Sequence, residues 1–236
     1  MIKIKVPATS ANFCIGFDTL GVALNLYNEF SFETSTEDKL LGFDKAYNNE
    51  SNLVLISYKR FFSEFNIDYI PVTISLLKEQ VPPSRGLGSS ATCIVAGIMA
   101  ANILSNANID SDALLSLMTL IEGHPDNVAP AYLGGFVASI NNNGDIITNR
   151  YNVSDKLVFN VLVPDFKLST LSARQALPNQ YSREDVVSNI SKIINLPRAI
   201  ETANFKLLKV LLNDKIHEPY RFKLIDKALK IKEELA

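Results

Sequence analysis

The segment Pro82-Pro83-Ser84-Arg85-Gly86-Leu87-Gly88-Ser89-Ser90-Ala91 constrains this chain more than any other. Upstream of it, Val72, Ile74 and Leu76 alternate with Thr73 and Ser75, a period of two that predicts a strand. Downstream, the small apolar residues from Ser89 to Leu104 predict a helix. Two prolines stiffen the entry, and two glycines remove the Cβ atoms that would hold a ligand away from the backbone. Amide donors then stand free at a helix N-terminus, where the macrodipole favours an anion. The hydroxyls of Ser89 and Ser90 can bond phosphate oxygens or ligate Mg²⁺, a hard cation that wants oxygen. These parts together predict a triphosphate cradle. The plainer alternative is a tight turn with Ser89 as N-cap. The flanking Pro-Pro-Ser-Arg and Ser-Ser-Ala weigh against it.

Two other nucleotide motifs compete. A Walker loop needs Gly-Lys-Ser/Thr, and no lysine lies between Lys78 and Lys156. The dinucleotide pattern is a nearer rival, because Gly86-x-Gly88-x-x-Ala91 fits it formally and Asp110 stands about 20 residues on. Asp110 follows Ser105-Asn106-Ala107-Asn108, which reads as a turn, whereas a ribose-binding carboxylate should end a buried strand. The dinucleotide reading therefore ranks below the cradle.

Around this segment the chain reads as α+β. Ile2, Ile4 and Val6 alternate with Lys3 and Lys5, the wet face of a first strand. Leu20 to Thr34 is a second extended run. Leu53 to Phe65 and Asp110 to Ile121 carry helical spacing. Gly134 and Gly135 open a strand through Ile140, and Leu157 to Val163 predicts a further strand. After Pro164 the texture changes to successive helices from about Arg183 to Ala236, with Val186, Val187, Ile190 and Ile194 on one face. A domain junction is expected there, dividing residues 1–163 from 164–236.

Composition excludes several function classes. With 47% hydrophobic and 20% charged residues, the chain of 236 has ample material for a core. A net charge of −2 leaves no basic excess for nucleic acid or an anionic membrane. No apolar run is long enough to span a bilayer, and the N-terminus has no signal-peptide pattern. Two cysteines, Cys14 and Cys93, then read as reduced thiols of a cytoplasmic protein. Two Cys and two His make a metal site built on those residues improbable. Cys93 reads as core packing, Cys14 as structural, and His217 as simple surface.

Two further clusters stand out. Val6-Pro7-Ala8-Thr9-Ser10-Ala11-Asn12-Phe13-Cys14-Ile15-Gly16-Phe17-Asp18-Thr19-Leu20-Gly21 places small polar residues between two strands, a loop suited to meeting a ligand. In Ile121-Glu122-Gly123-His124-Pro125-Asp126-Asn127-Val128-Ala129-Pro130, an acid, a histidine and an amide follow a helix. Glu122 could reach a metal ion carried by the nucleotide.

These three segments resemble the GHMP kinase superfamily and, within it, the homoserine kinase branch. The glycine segment resembles the superfamily's ATP-binding motif. Pro7-Ala8-Thr9-Ser10-Ala11-Asn12 with Gly16-Phe17-Asp18, and Glu122 to Pro130, resemble the branch. The likeness includes Ser169 to Arg174 and His217-Glu218-Pro219-Tyr220-Arg221. It implies a two-domain α+β fold, an N-terminal ribosomal-protein-S5-domain-2-like domain followed by a ferredoxin-like one. It implies ATP and Mg²⁺, with Pro82, Pro83, Ser84, Arg85, Gly86, Leu87, Gly88, Ser89, Ser90 and Ala91 over the phosphates. Ser90 and Glu122 would hold the metal. Asn12, Asp18, Thr170, Arg174 and Arg221 would hold the small-molecule substrate homoserine, with His124 and Asn127 near its hydroxyl. Whether Asp18 is a base or only binds the substrate amine stays open.

The sequence departs from the family pattern at its end. A second glycine-rich loop of the type Ser-Gly-Ala-Gly-Pro is expected and does not occur before Ala236. The reading therefore expects an incomplete second domain, an unpaired sheet edge and association with another chain, a homodimer among the options. Phe13-Cys14-Ile15-Gly16 replaces the more usual Leu-Gly-Pro-Gly. The alternatives are a superfamily kinase for another alcohol, such as mevalonate or shikimate, and an inactive nucleotide-binding protein.

Overall fold

A computed structural model describes residues 1–163 and 170–235 of the chain. Its core is one six-stranded sheet. β1 (Ile2–Ala11) runs antiparallel to β2 (Leu20–Thr34) along most of its length. On its other side β2 pairs with β4 (Val72–Glu79) through Asn28–Thr34 and with β5 (Phe136–Asn142) through Leu20–Val22. Short β3 (Lys39–Leu41) adds to β4 in parallel, and β6 (Asp145–Tyr151) closes a hairpin with β5. The hairpin turn is Asn143-Gly144, both at positive φ, the backbone that a two-residue turn between strands requires. That signal was present in the sequence, yet β6 is absent from the expectations above, as is β3.

The alternation in β1 works as expected at first: Ile4 and Val6 are buried while Lys3 and Lys5 are exposed. The register then shifts between Pro7 and Thr9, and the sequence neighbours Ala8 and Thr9 are both fully buried. An irregularity of this kind re-aims a side chain, and here it turns Thr9 toward the glycine segment.

Helices α1 (Leu53–Glu64), α2 (Ser89–Ser105), α3 (Ser111–Glu122) and α4 (Pro125–Leu133) pack with this sheet. Phe30, Phe32 and Ile74 from the strands meet Tyr58, Phe61, Ile94 and Met118 from the helices. Each such side chain contributes about 1.5–3 kcal/mol on burial. The cradle therefore sits on the most heavily packed part of the molecule. Asp110 is the N-cap of α3, its Oδ1 accepting from the amides of Asp112 and Ala113 at 3.0 Å. A capping role in a turn leaves no ribose-binding strand end, so the dinucleotide alternative falls.

The rest of the described chain is helical: α5 (Thr170–Gln175), α6 (Arg183–Glu201), α7 (Phe205–Leu211), α8 (Glu218–Arg221), a 3₁₀ turn (Phe222–Leu224) and α9 (Ala228–Leu235). A second apolar cluster joins these helices to the sheet. Leu196, Ala199 and Ile200 of α6 and Leu208 and Leu211 of α7 pack on Ile15, Leu20, Val22 and Phe136. Two expectations are corrected here. Val186, Val187, Ile190 and Ile194 do share a side of α6, but it is the exposed side. The buried stripe is instead Asn189, Leu196, Ala199 and Ile200, of which the last three reach the second cluster. Leu157 to Val163 is not a strand. Its alternation is real, since Leu157 and Phe159 reach the second cluster while Val158 is exposed, but among the described residues no neighbouring strand offers it a ladder of hydrogen bonds. The junction expected at Pro164 lies outside the described residues. Among the described residues no helix is long and apolar enough to cross a membrane.

Candidate active site

One cavity of about 610 Å³ is lined by the glycine segment, the 12–18 loop, the α3–α4 junction and two arginines from the helical part. Its construction starts at the glycine segment. Ser84, Gly86 and Gly88 are alternately left-handed, at φ of 58°, 70° and 67°. The two glycines serve different ends. A Cβ on Gly86 would meet nothing within 4 Å, so the space above it is open to a ligand. A Cβ on Gly88 would lie 2.1 Å from Thr9 Oγ1 and 3.1 Å from Asn127 Oδ1. Gly88 is thus small because protein atoms, rather than a phosphate, occupy its flank. Gly88 is also the N-cap of α2, and no side chain caps that helix. Its first amides stay available to an anion.

Two residues not singled out above hold the segment in place. Thr9 accepts nothing from it but donates twice nearby: its amide to Leu87 O at 3.1 Å, and its hydroxyl to Asn127 Oδ1 at 2.8 Å. Asn28 is buried in β2, where Oδ1 accepts from the amides of Gln80 and Val81 at 3.0 Å and Nδ2 donates to Thr92 Oγ1 at 3.0 Å. Asn28 thereby ties the strand before the segment to the helix after it. An amide among the apolar residues of β2 was the available signal, one that Asn25 also carries.

Ser90 and Glu122 come together as expected. The Ser90 hydroxyl donates to Glu122 Oε1 at 2.7 Å. Burial pushes the Glu122 carboxyl above the usual range, with the Ser90 hydrogen bond acting against it. Gly123, at φ 93°, ends α3, and Pro125 starts α4, so the chain turns sharply between them. This turn sets His124 and Asn127 on the cavity wall beside Glu122. His124 Nδ1 lies 2.5 Å from Asp126 Oδ1, and that carboxylate raises the imidazole above its ordinary value against the pull of burial. Asp126 was read only as part of the motif, yet it is fully buried, and its Oδ2 has no partner among the described residues.

The cavity wall also carries Asp18 and two arginines from the helical part. Asn12, Cys14 and Asp18 all have left-handed backbones, at φ of 53°, 52° and 53°. Asn12 Oδ1 accepts the Asp18 amide at 3.0 Å and folds the loop on itself. Asp18 is gripped by both Arg174 nitrogens, each at 2.8 Å. Arg221, half-buried on α8, lines the same cavity, and its guanidinium has no hydrogen-bond or ion-pair partner among the described residues. Burial lowers its pKa, with the Asp18 carboxylate acting in the other direction.

Most of the expected residues therefore share one cavity. Pro82 is not on its wall, and Ala91 is fully buried beneath the segment in α2. Thr170 begins α5, but its side chain lies outside the described residues. Cys93 packs against the main core as expected and also lines the cavity from α2. His217, expected at the surface, is only 5% exposed.

Comparison with known proteins identifies the family. Residues 52–135 match the family described as GHMP kinases N terminal domain. Homoserine kinase of Clostridium acetobutylicum is 49% identical over 229 residues, covering 96% of this chain and 77% of the relative. A Clostridium botulinum homoserine kinase is 43% identical over 226 residues, covering 95% of this chain and 76% of the relative. Among solved structures, homoserine kinase from Cytophaga hutchinsonii superposes with a TM-score of 0.84 at 28% identity, covering 98% of this chain and 77% of that one. On these likenesses and the fold they share, the chain belongs to the homoserine kinase family of GHMP kinases.

Proposed function

We propose that the chain transfers the γ-phosphoryl group of ATP to the side-chain hydroxyl of L-homoserine, giving O-phospho-L-homoserine. The observation that carries the choice of substrate is Arg221, a half-buried guanidinium facing the cavity without a partner among the described residues. Leaving such a group unpaired is costly, and a planar carboxylate is the ligand that fits its fork of donors. Asp18 and Asn12 stand across from it and suit an ammonium group. An α-amino acid supplies both charges, and its side-chain hydroxyl then extends toward the phosphate cradle.

The geometry supports a division of labour. The glycine segment and the first amides of α2 hold the phosphates. Ser90 and Glu122 are a hydroxyl and a carboxylate side by side, a hard-oxygen pair that fits Mg²⁺, which takes few protein ligands and completes its shell with water and phosphate. When bound there, Mg²⁺ would neutralise charge on the transferring phosphoryl group. Both Asp18 oxygens are engaged by Arg174, so Asp18 binds the ammonium rather than abstracting a proton. His124 keeps a proton on Nδ1 toward Asp126, leaving Nε2 to accept from the hydroxyl, while Asn127, fixed by Thr9, orients it.

Coupled ADP release over a panel of alcohols tests this reading. Homoserine should turn over, while mevalonate, shikimate and an amino alcohol lacking the carboxylate should turn over roughly tenfold to a hundredfold less well or worse, the value of one lost charge-assisted pair or more. Equal turnover of the carboxylate-free alcohol overturns it.

A further inference from the structure

The helical part contributes more to the amino-acid end of the cavity than its two arginines. Asp214 is buried, and its Oδ2 accepts the amides of Ile216, His217 and Glu218 at 3.0, 2.6 and 2.8 Å. Its Oδ1 accepts Asn189 Nδ2 at 2.7 Å, and Asn189 Oδ1 accepts the Lys215 amide at 3.0 Å. These bonds fasten the start of α8 to the buried side of α6. His217 stands at that start and reaches the other way. Its Nε2 donates to the carbonyl of Cys14, and its ring stacks on Phe17 with centroids 5.4 Å apart and planes 28° from parallel. Cys14 is one of the left-handed residues of the 12–18 loop, and Phe17 is followed directly by Asp18.

We propose that His217 is a positioning residue for substrate recognition: it latches the loop that carries Asn12 and Asp18 to the helix that carries Arg221. Arg221 lies one turn beyond His217 on the same short helix, its amide bonded to the His217 carbonyl at 3.0 Å. The hydrogen bond to Cys14 and the stack on Phe17 therefore hold the carboxylate-binding end and the ammonium-binding end at one separation. A left-handed backbone at three non-glycine positions has a conformational cost and persists only when its surroundings hold it. The His217 contact reaches the middle of the loop from outside and adds a hydrogen bond to the apolar packing of Ile15 in the second cluster and to Arg174 over the Phe17 ring. The latch makes the cavity a gauge for the distance between the two charges of an α-amino acid. This rests on the function proposed above.

The chosen variants keep the site filled. His217→Phe keeps a ring to stack on Phe17 but has no donor for the Cys14 carbonyl. His217→Gln loses the ring but keeps an N–H donor. In steady-state assays, His217→Phe should raise the KM for homoserine about tenfold, the worth of one buried hydrogen bond left unmade, and change the KM for ATP less than twofold. His217→Gln should restore the homoserine KM to within about threefold of the parent. Hydrogen exchange on the ligand-free protein supplies a readout independent of substrate. The amides of Gly16, Asp18, Thr19 and Leu20, all bonded within the loop, should exchange faster in His217→Phe, while amides of β4 should not. Unchanged loop exchange, an unchanged homoserine KM, or equal rises in the KM values for ATP and homoserine overturn the latch. Failure of the parent protein to phosphorylate homoserine overturns the proposed function instead, and the exchange experiment still decides the latch.

Discussion

Replacing Arg221 by Met separates what that side chain does for folding from what it does for substrate. Arg221 is half-buried, faces the cavity and has no partner among the described residues. In the ligand-free protein it is a partly desolvated cation, attracted through space by Asp18 and Asp126 and repelled by Arg174. Substituting a buried charge by an apolar side chain of similar volume is often neutral or stabilising. Arg221→Met should therefore leave the ligand-free protein as stable as before or up to about 1 kcal/mol more stable, a Tm rise of roughly 2–4 °C for a chain of this size. Its effect on recognition has the opposite sign. Two charge-assisted hydrogen bonds to a carboxylate are lost, at about 1.5–3 kcal/mol for the interaction, so kcat/KM for homoserine should fall roughly tenfold to a hundredfold or more. Arg221→Lys keeps the charge without the fork and should fall between the two. Arg174 behaves differently because it already grips Asp18. Removing it strands that carboxylate, so Arg174→Met should lose substrate affinity with no gain in Tm. Thermal unfolding without ligands and steady-state kinetics at saturating ATP measure both quantities. A Tm loss in Arg221→Met together with an unchanged kcat/KM would refute the reasoning, since the guanidinium would then be structural.

Two further outcomes follow from local geometry. Gly88→Ala should lower stability by at least about 1–3 kcal/mol, because its φ of 67° is strained for alanine and Thr9 Oγ1 lies 2.1 Å from the new methyl; Gly86→Ala, with open space around it, should cost about 1–2 kcal/mol and act mainly on the KM for ATP. Thermal unfolding paired with ATP kinetics distinguishes them, and equal behaviour would contradict the separate roles. Burial pushes the thiols of Cys14 and Cys93 up to about 12, so at pH 8 almost no thiolate exists and alkylation should be slow, accelerating about tenfold per pH unit up to pH 10. ATP should protect Cys93, which lines the cavity, and rapid labelling at pH 8 would show that one of these thiols is not held as described.

Much of the fold was legible because its signals are local. Strict alternation marked β1 and β4, and the capped, periodic runs marked α1 and α3 at nearly their observed ends. The Asn143-Gly144 turn was equally local and simply went unread. What alternation cannot supply is a partner. Leu157 to Val163 has the right pattern and yet forms no strand, because a strand is made by its neighbour's hydrogen bonds as much as by its own side chains. The side of α6 was misjudged for a related reason. Val186, Val187, Ile190 and Ile194 form the more apolar stripe, but the helix turns Asn189 inward, because that amide is needed to hold Asp214. A buried polar bond chose the face.

The site was legible in kind but not in construction. Motif resemblance pointed to the glycine segment, Glu122, His124 and the arginines, residues that line the cavity. It gave no role to Thr9, Asp126 and His217, though they lie in its segments, and did not include Asn28; the chemistry of all four faces other protein atoms. Thr9 is aimed by a register shift that depends on β1 and β2 pairing, and His217 meets Cys14 across a separation of 203 residues. Neither contact leaves a pattern within one stretch of sequence. Yet these residues determine whether the ligand-facing groups stand at useful distances. Arg221 without a partner, Glu122 pushed toward its neutral form and Asp126 with an unsatisfied oxygen are each unfavourable in isolation. All three lie at or just behind one cavity. Groups that cost stability and cluster where a ligand binds are best explained by the charges the ligand brings: a carboxylate for Arg221, and a cation for Glu122.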